Sequence, residues 1–171
     1  MDDAPAAHDP IGEARRQWLA HELGEPLAMT AAISVIRASQ IVNTAVDRAL
    51  RPLGLSFARY EVLMLLSFSR KGCLPITKIG DRLMVHPTGV SKLVDKLEHQ
   101  GFVRREPNPT DRRGTLVLIE PAGRRLARRA SRVVTDIRFG TALGDDQLEE
   151  LVALLAAFRR PLNQDAPLAP A

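Results

Sequence analysis

The stretch with the clearest chemical content in this 171-residue chain is Pro87-Thr88-Gly89-Val90-Ser91-Lys92-Leu93-Val94-Asp95-Lys96-Leu97-Glu98. Val90, Leu93, Val94 and Leu97 recur at i, i+3, i+4 and i+7, the spacing of a helix with one buried face. Thr88, Ser91, Lys92, Asp95 and Lys96 then fall on the outer face. Lys92 and Lys96 stand one turn apart and can meet phosphates or guanine edges, while Thr88 and Ser91 offer short hydroxyls that fit close to DNA. Pro87 pre-sets the first turn without wasting an N–H donor. A solvated amphipathic helix has the same pattern, so the helix does not decide the matter alone.

A second constellation follows at Pro107-Asn108-Pro109-Thr110-Asp111-Arg112-Arg113-Gly114, which is turn chemistry between two short extended runs. Arg112 and Arg113 on a narrow hairpin tip can reach a minor groove, where the potential is most negative. Asp111 suits a different task, holding an arginine or a backbone N–H so that the tip is ordered before binding. The charge distribution agrees. Residues 75–139 carry 14 Lys and Arg against 7 Asp and Glu, a net of +7, whereas the remainder is −3 and the whole chain +4. A basic segment on an acidic remainder points to a polyanion.

Other chemistries find little support. His8, His21, His86 and His99 share no ligand spacing, and Cys73 is the lone cysteine, so neither a metal site nor a disulfide framework is expected. Nothing resembles a phosphate loop, a nucleophile elbow or an acid/base pair, and the expectation is a non-enzyme without a cofactor. Aliphatic residues are plentiful although aromatics are only 4%, which disfavours a β-sandwich but not a packed core. No apolar run approaches the ~18 residues of a membrane span, and the acidic start MDDAPAAHDP lacks the regions of a signal peptide. A cytoplasmic location is expected.

The surrounding periodicities place these motifs. Ile11, Trp18, Leu19 and Leu23 share a face of a first helix over 11–23, closed by Gly24. Residues 26–51 form the longest helix, with an apolar face from Ile33 and Ile36 through Val42, Val46 and Leu50 that is too wide for one contact and implies a partner chain. Ser56 caps a helix over 57–71 with Tyr60, Leu63 and Leu66 inward. Thr77 caps a short helix bearing Ile79 and Leu83, and Met84-Val85-His86 turns into the helix that begins at Pro87. Gly101 closes that helix. Phe102–Arg105 and Thr115–Ile119 make one hairpin. Pro121 opens a helix running to about Leu143, and Leu148, Leu151, Val152 and Leu155 line another over 146–160. Short helix, tight turn, helix and hairpin in that order make a winged helix-turn-helix.

Residues from about 27 to 160 resemble the multiple antibiotic resistance regulator (MarR) family. The resemblance rests on Gly89 to Glu98, Gly101-Phe102-Val103-Arg104-Arg105, Asn108-Pro109-Thr110-Asp111-Arg112-Arg113 and Pro121-Ala122-Gly123-Arg124. It implies a dimer with intertwined terminal helices and one winged helix per chain on a palindromic site. Many members are autorepressors released by a small aromatic or organic acid. Glu120 departs from the usual Thr or Ser cap. The extra helix with Trp18 is similar to that of the urate- and organic-acid-responsive branch, where such a Trp lines the effector pocket. That branch tends to have an Asp where this chain has Glu61, which speaks against urate itself. The cysteine of peroxide-sensing relatives and the ligand sets of zinc-sensing ones do not carry over.

The expected protein is mainly α with a small β-hairpin wing, a winged helix-turn-helix with N- and C-terminal dimerisation helices. Its organisation is a disordered lead over 1–10, N-terminal and dimerisation helices over 11–54, a DNA-binding domain over 55–120, C-terminal dimerisation helices over 121–160 and a disordered tail over 161–171. The expected partners are double-stranded DNA, a second copy and a small organic-acid or aromatic effector, with no membrane. Trp18, His21 and Arg59 are the candidate effector residues: an arginine near a helix N-terminus for a carboxylate, an indole for an apolar body and an imidazole one turn on. All three would also serve as ordinary packing and surface residues. The rival class is a winged-helix adaptor that binds protein and does not read DNA.

Overall fold

The computed structural model describes residues 9–109, 111 and 114–160. Its elements follow in the order α1 (Pro10–Ala20), α2 (Leu27–Leu50), α3 (Phe57–Phe68), β1 (Cys73–Pro75), α4 (Ile76–Leu83), α5 (Pro87–His99), β2 (Val103–Pro107), β3 (Thr115–Ile119), α6 (Pro121–Asp136) and α7 (Asp145–Arg159), with single 3-10 turns at Arg51–Leu53 and Arg138–Gly140. Residues up to Gly140 make one compact unit, and those from Thr141 make a second that contains α7.

The first unit is built on aliphatic side chains. Val46 and Leu50 of α2, Val62, Leu63 and Leu66 of α3, Ile79 of α4, Val90, Val94 and Leu97 of α5, Val117 of β3 and Val134 of α6 are fully buried. Each contributes roughly 1.5–3 kcal/mol of burial, which is why a chain poor in aromatics still packs a core.

Local chemistry sets the helix starts. The Asp9 carboxylate accepts from the Ile11 and Gly12 amides at 3.1 and 3.0 Å, so α1 begins at Pro10. The rest of the expected lead, and the expected tail over 161–171, lie outside the described residues. Ser56 Oγ accepts from the Arg59 amide at 3.4 Å, and Asp47 of α2 accepts from the Phe57 amide at 2.5 Å, tying the end of α2 to the start of α3. Thr77 does not cap α4. That helix starts at Ile76 directly behind Pro75, which ends β1 in an extended conformation, so Thr77 sits within the first turn. Nor does α6 reach Leu143. It stops at Asp136, and Arg138 and Phe139 turn the chain at φ 48° and 52°.

The sheet has the order β1-β3-β2, antiparallel throughout, with Val103 opposite Ile119, Pro107 opposite Thr115 and Cys73 opposite Leu118. The hairpin is therefore real, and a third strand joins its far edge. Cys73 belongs to that strand rather than to a link between helices. At the tight turn, Gly80 of α4 is buried, and a Cβ there would stand 3.0 Å from the Val85 carbonyl and 3.4 Å from Val90 Cγ2. A larger residue would press on the Val85 carbonyl, so the close approach at this turn favours glycine.

Candidate nucleic-acid interface

The imidazole of His86 supplies the N-cap of α5, its Nδ1 accepting from the Thr88 amide at 3.3 Å, and Pro87 takes the first turn. Val90, Val94 and Leu97 face the core, which leaves Pro87, Thr88, Lys92, Asp95, Lys96 and His99 exposed and Ser91 half-buried. The structure thus brings Pro87, Thr88, Ser91, Lys92 and Lys96 onto one helix. Asp95 shares the outer region without being a free carboxylate.

Its partner is Arg105 of β2, which the sequence placed in a family motif without giving it a role. The Arg105 guanidinium donates to Asp95 Oδ1 at 2.6 Å, to the Ser91 carbonyl at 3.2 Å and to the Glu98 carboxylate. Its backbone amide donates to Glu98 Oε1 at 2.9 Å. One side chain therefore clamps the middle of α5 to the hairpin. The clue lay in strand alternation: with Val103 inward, Arg104 points outward and Arg105 returns to the inner face. Arg104 is also engaged, with Glu106 and, at 2.8 Å, with Glu120. Glu120 consequently gives α6 no side-chain cap; its carboxylate is spent on the hairpin. Two arginines counted towards the basic segment are thus neutralised within the fold.

At the tip, the Asn108 amide donates to the Gly114 carbonyl at 3.0 Å, the Asp111 amide to the Asn108 carbonyl at 3.2 Å and the Gly114 amide to the Asp111 carbonyl at 2.8 Å. Asn108 is buried, and a Cβ on Gly114 would stand 2.9 Å from Asp111 Oδ2 and 3.2 Å from Asn108 Nδ2. The Asp111 carboxylate therefore lies close to Gly114 across the turn, on an exposed residue. Arg112 and Arg113 lie outside the described residues.

Arg59 donates to Ser56 Oγ at 3.3 Å and to Gln100 Oε1 at 3.4 Å, and it lines a cavity of about 380 Å³ with Asp95, Lys96, His99 and Gln100. That places it on the flank of α5. Trp18 is half-buried on α1, its indole Nε1 buried without a partner among the described residues, and His21 is exposed at the helix end.

Glu61, half-buried on α3, lines a cavity of about 360 Å³ with Tyr60, Met64, Arg82, Leu83 and Phe139. Burial pushes its carboxyl above the ordinary glutamate range, and Arg82 in the same cavity does not reverse this. The folded chain holds the proton more tightly than the unfolded one. Stability must then fall as pH rises from the ordinary range of about 4.3 through the raised value, and stay lower above it. Glu61→Gln removes that penalty. Urea unfolding should show a higher midpoint for the variant at pH 8 and little difference at pH 4; equal midpoints at both would show that Glu61 carries no penalty.

An outward-facing helix behind a tight turn, locked to a β-hairpin, defines a winged helix-turn-helix protein. Sco5413, a MarR family transcriptional regulator from Streptomyces coelicolor, superimposes with a TM-score of 0.76 and 41% identity over 84% of this chain and 100% of its own. The MarR family model matches residues 55–115, and the chain belongs to the MarR family. The HTH-type transcriptional regulator MhqR of Bacillus subtilis is 33% identical over 91 residues, 53% of this chain. The chain spans only 61% of MhqR's own length. Sco3205, a MarR family transcriptional regulator from S. coelicolor solved in complex with DNA, has a TM-score of 0.73 and 25% identity over 83% of this chain and 92% of its own. These relatives are transcriptional regulators, not enzymes.

Proposed function

We propose that this protein is a DNA-binding transcriptional regulator, a cytoplasmic repressor that holds a palindromic operator as a homodimer and releases it to a small organic-acid or aromatic effector. The observation that carries the reading is the outer face of α5, where Thr88, Lys92 and Lys96 are exposed on a helix fixed to the hairpin by Arg105. The DNA complex of Sco3205 supports it. Pro87, Thr88, Ser91, Lys92 and Lys96 enter the major groove, Arg112 and Arg113 reach the flanking backbone or minor groove, and Asp111 keeps the tip ordered. Two such helices spaced near one DNA turn, ~34 Å, read the two half-sites. An effector shifts the dimer towards a spacing that does not fit, and only by its differential affinity for the two states.

Fluorescence anisotropy on DNA from upstream of the protein's own gene, in a series of salt concentrations, tests this. Lys92→Ala and Ser91→Ala should each weaken operator binding by ~1–3 kcal/mol where they meet a base edge. The paired change Arg112→Ala and Arg113→Ala should flatten the salt dependence by about 0.9 for each phosphate no longer neutralised. A wild-type chain that binds no such DNA would instead favour the protein-interaction adaptor. Unchanged affinity and slope in the variants would remove these residues from the interface.

A further inference from the structure

Arg59 stands on the first turn of α3, but its guanidinium reaches the end of α5. Nε donates to Ser56 Oγ at 3.3 Å, and Nη1 donates at 3.4 Å to Gln100 Oε1, 41 residues away in the chain. A guanidinium carries five N–H donors in a rigid fork. Among the described residues, Arg59 makes no ion pair and its Nη2 has no acceptor. Two neutral acceptors thus hold the fork in place and leave its charge uncompensated.

The cavity beside it, about 380 Å³, is lined by Arg59, Asp95, Lys96, His99 and Gln100, all of them polar. Asp95 supplies the carboxylate of this set, and Arg105 neutralises it from the hairpin side at 2.6 Å. Arg59 is half-buried, whereas Lys96, His99 and Gln100 are exposed. A lining without apolar side chains gives the body of a ring-bearing acid nothing to lie on. It suits a compact anion whose oxygens accept from a fork and an ammonium together.

Position selects the anion. Lys96 belongs to the outer face of α5 with Thr88 and Lys92. Four helical residues rise about 6 Å, so Gln100 and the Arg59 fork lie about two turns beyond Lys92. Where the N-terminal half of a recognition helix reads base edges, the flanking parts of the protein meet the phosphates that wall the groove. We propose that Arg59 and Lys96, with His99 beside them, hold one backbone phosphodiester at the edge of the major groove in each half-site. The proposal rests on the regulator reading above and adds a contact from α3, outside both the recognition helix and the wing. Arg59 offers two phosphate oxygens its Nη1 and Nη2 hydrogens, and Lys96 adds a point charge. Ser56 and Gln100 are positioning residues that aim the fork. Such a contact carries no base information; it fixes the register at which Thr88, Ser91 and Lys92 meet the bases.

The test uses the full chain and two duplexes of equal length, one from upstream of its own gene and one of unrelated sequence, in anisotropy over a salt series. Arg59→Gln should weaken binding to both by about tenfold at low salt and flatten the salt slope by about 0.9. Arg59→Lys should keep the slope and recover part of the affinity, because the charge stays while the fork is lost. Arg15→Gln, which removes an exposed cation from α1, should change neither. Ethylation interference supplies a readout that a folding defect does not produce. With the wild type, one ethylated phosphate per half-site should block binding, and with Arg59→Gln that position should no longer matter. An unchanged interference pattern, or equal losses in Arg15→Gln, would overturn the proposal. Inorganic phosphate, titrated by calorimetry without DNA, covers the other source of the same chemistry. Phosphate binding that needs Arg59, beside operator binding that does not, would make this a free-phosphate site and overturn the assignment to DNA. A wild-type chain that binds neither duplex removes the regulator and this contact together. A wild-type chain that binds the operator, matched by Arg59→Gln in affinity, slope and interference, keeps the regulator and loses the contact.

Discussion

Arg105→Ala should both lower the unfolding midpoint and weaken operator binding, although Arg105 faces away from the outer surface of α5. Its side chain is only 25% exposed and serves Asp95, Glu98 and the Ser91 carbonyl. Removing it leaves two carboxylates one turn apart on α5 with no cation between them. Hydrogen bonds to charged groups contribute about 1.5–3 kcal/mol, and the half-buried geometry here places the expected loss near 2–3 kcal/mol. The DNA effect arises because the helix and hairpin lose their fixed relation, so that Lys92, Lys96 and the tip no longer present a single preformed surface. Arg105→Lys should recover less than half of the stability, since a single ammonium cannot span the three acceptors. Urea denaturation and anisotropy on the same variants measure the two losses. A coupling energy near zero between Arg105→Ala and Asp95→Ala in a double-mutant cycle would show that the clamp is not energetic.

Truncation before residue 146 should abolish the soluble dimer. Leu27 and Ile41 of α2 are 67% and 65% exposed in the single chain, and Leu154 and Phe158 of α7 are 70% and 58% exposed. Apolar side chains in that number on two helices seek cover at about 25 cal/mol for each Å² removed from water. In the homodimer proposed above, the second copy provides it. Light scattering on the truncated chain should report monomer or aggregate, and half-site binding should be far weaker than operator binding by the full chain. Leu154→Asp with Phe158→Asp tests the same surface without deleting the helix and should give the same result. A stable truncated monomer that binds the operator as tightly as the full chain would exclude this assembly.

What could be read in the sequence is what short-range rules govern. The i, i+3, i+4, i+7 stripe of Val90, Leu93, Val94 and Leu97 dictates which face of α5 is buried, and with it the exposure of Thr88, Lys92 and Lys96. Pro87, Ser56 and Gly101 mark helix ends because their own backbone and side-chain chemistry acts within four residues. The hairpin follows from a β-branched run beside a Pro/Asn/Asp turn. The misplaced boundaries have equally local causes. Three residues are too few to display the alternation of β1, and the left-handed turn at Arg138 and Phe139 breaks α6 where neither residue type favours that conformation.

Tertiary structure alone decided which charges are available. Asp95 and Arg105 are ten residues apart, Asp47 and the Phe57 amide ten apart, and Arg104 and Glu120 sixteen apart; each pair meets only because strands and helices fold back on one another. Arg59 has the residue type and helix position of an effector ligand, yet packing sets it beside Gln100 on the flank of α5. The row Arg124, Arg128 and Arg132 is visible as a fourfold spacing, but only the fold shows that Met64, Ser67 and Phe68 of α3 stand opposite it. Periodicity specifies the direction of a side chain relative to its own helix; what stands opposite depends on the neighbour, and it is the neighbour that turns a charge into a clamp, a cap or a binding site.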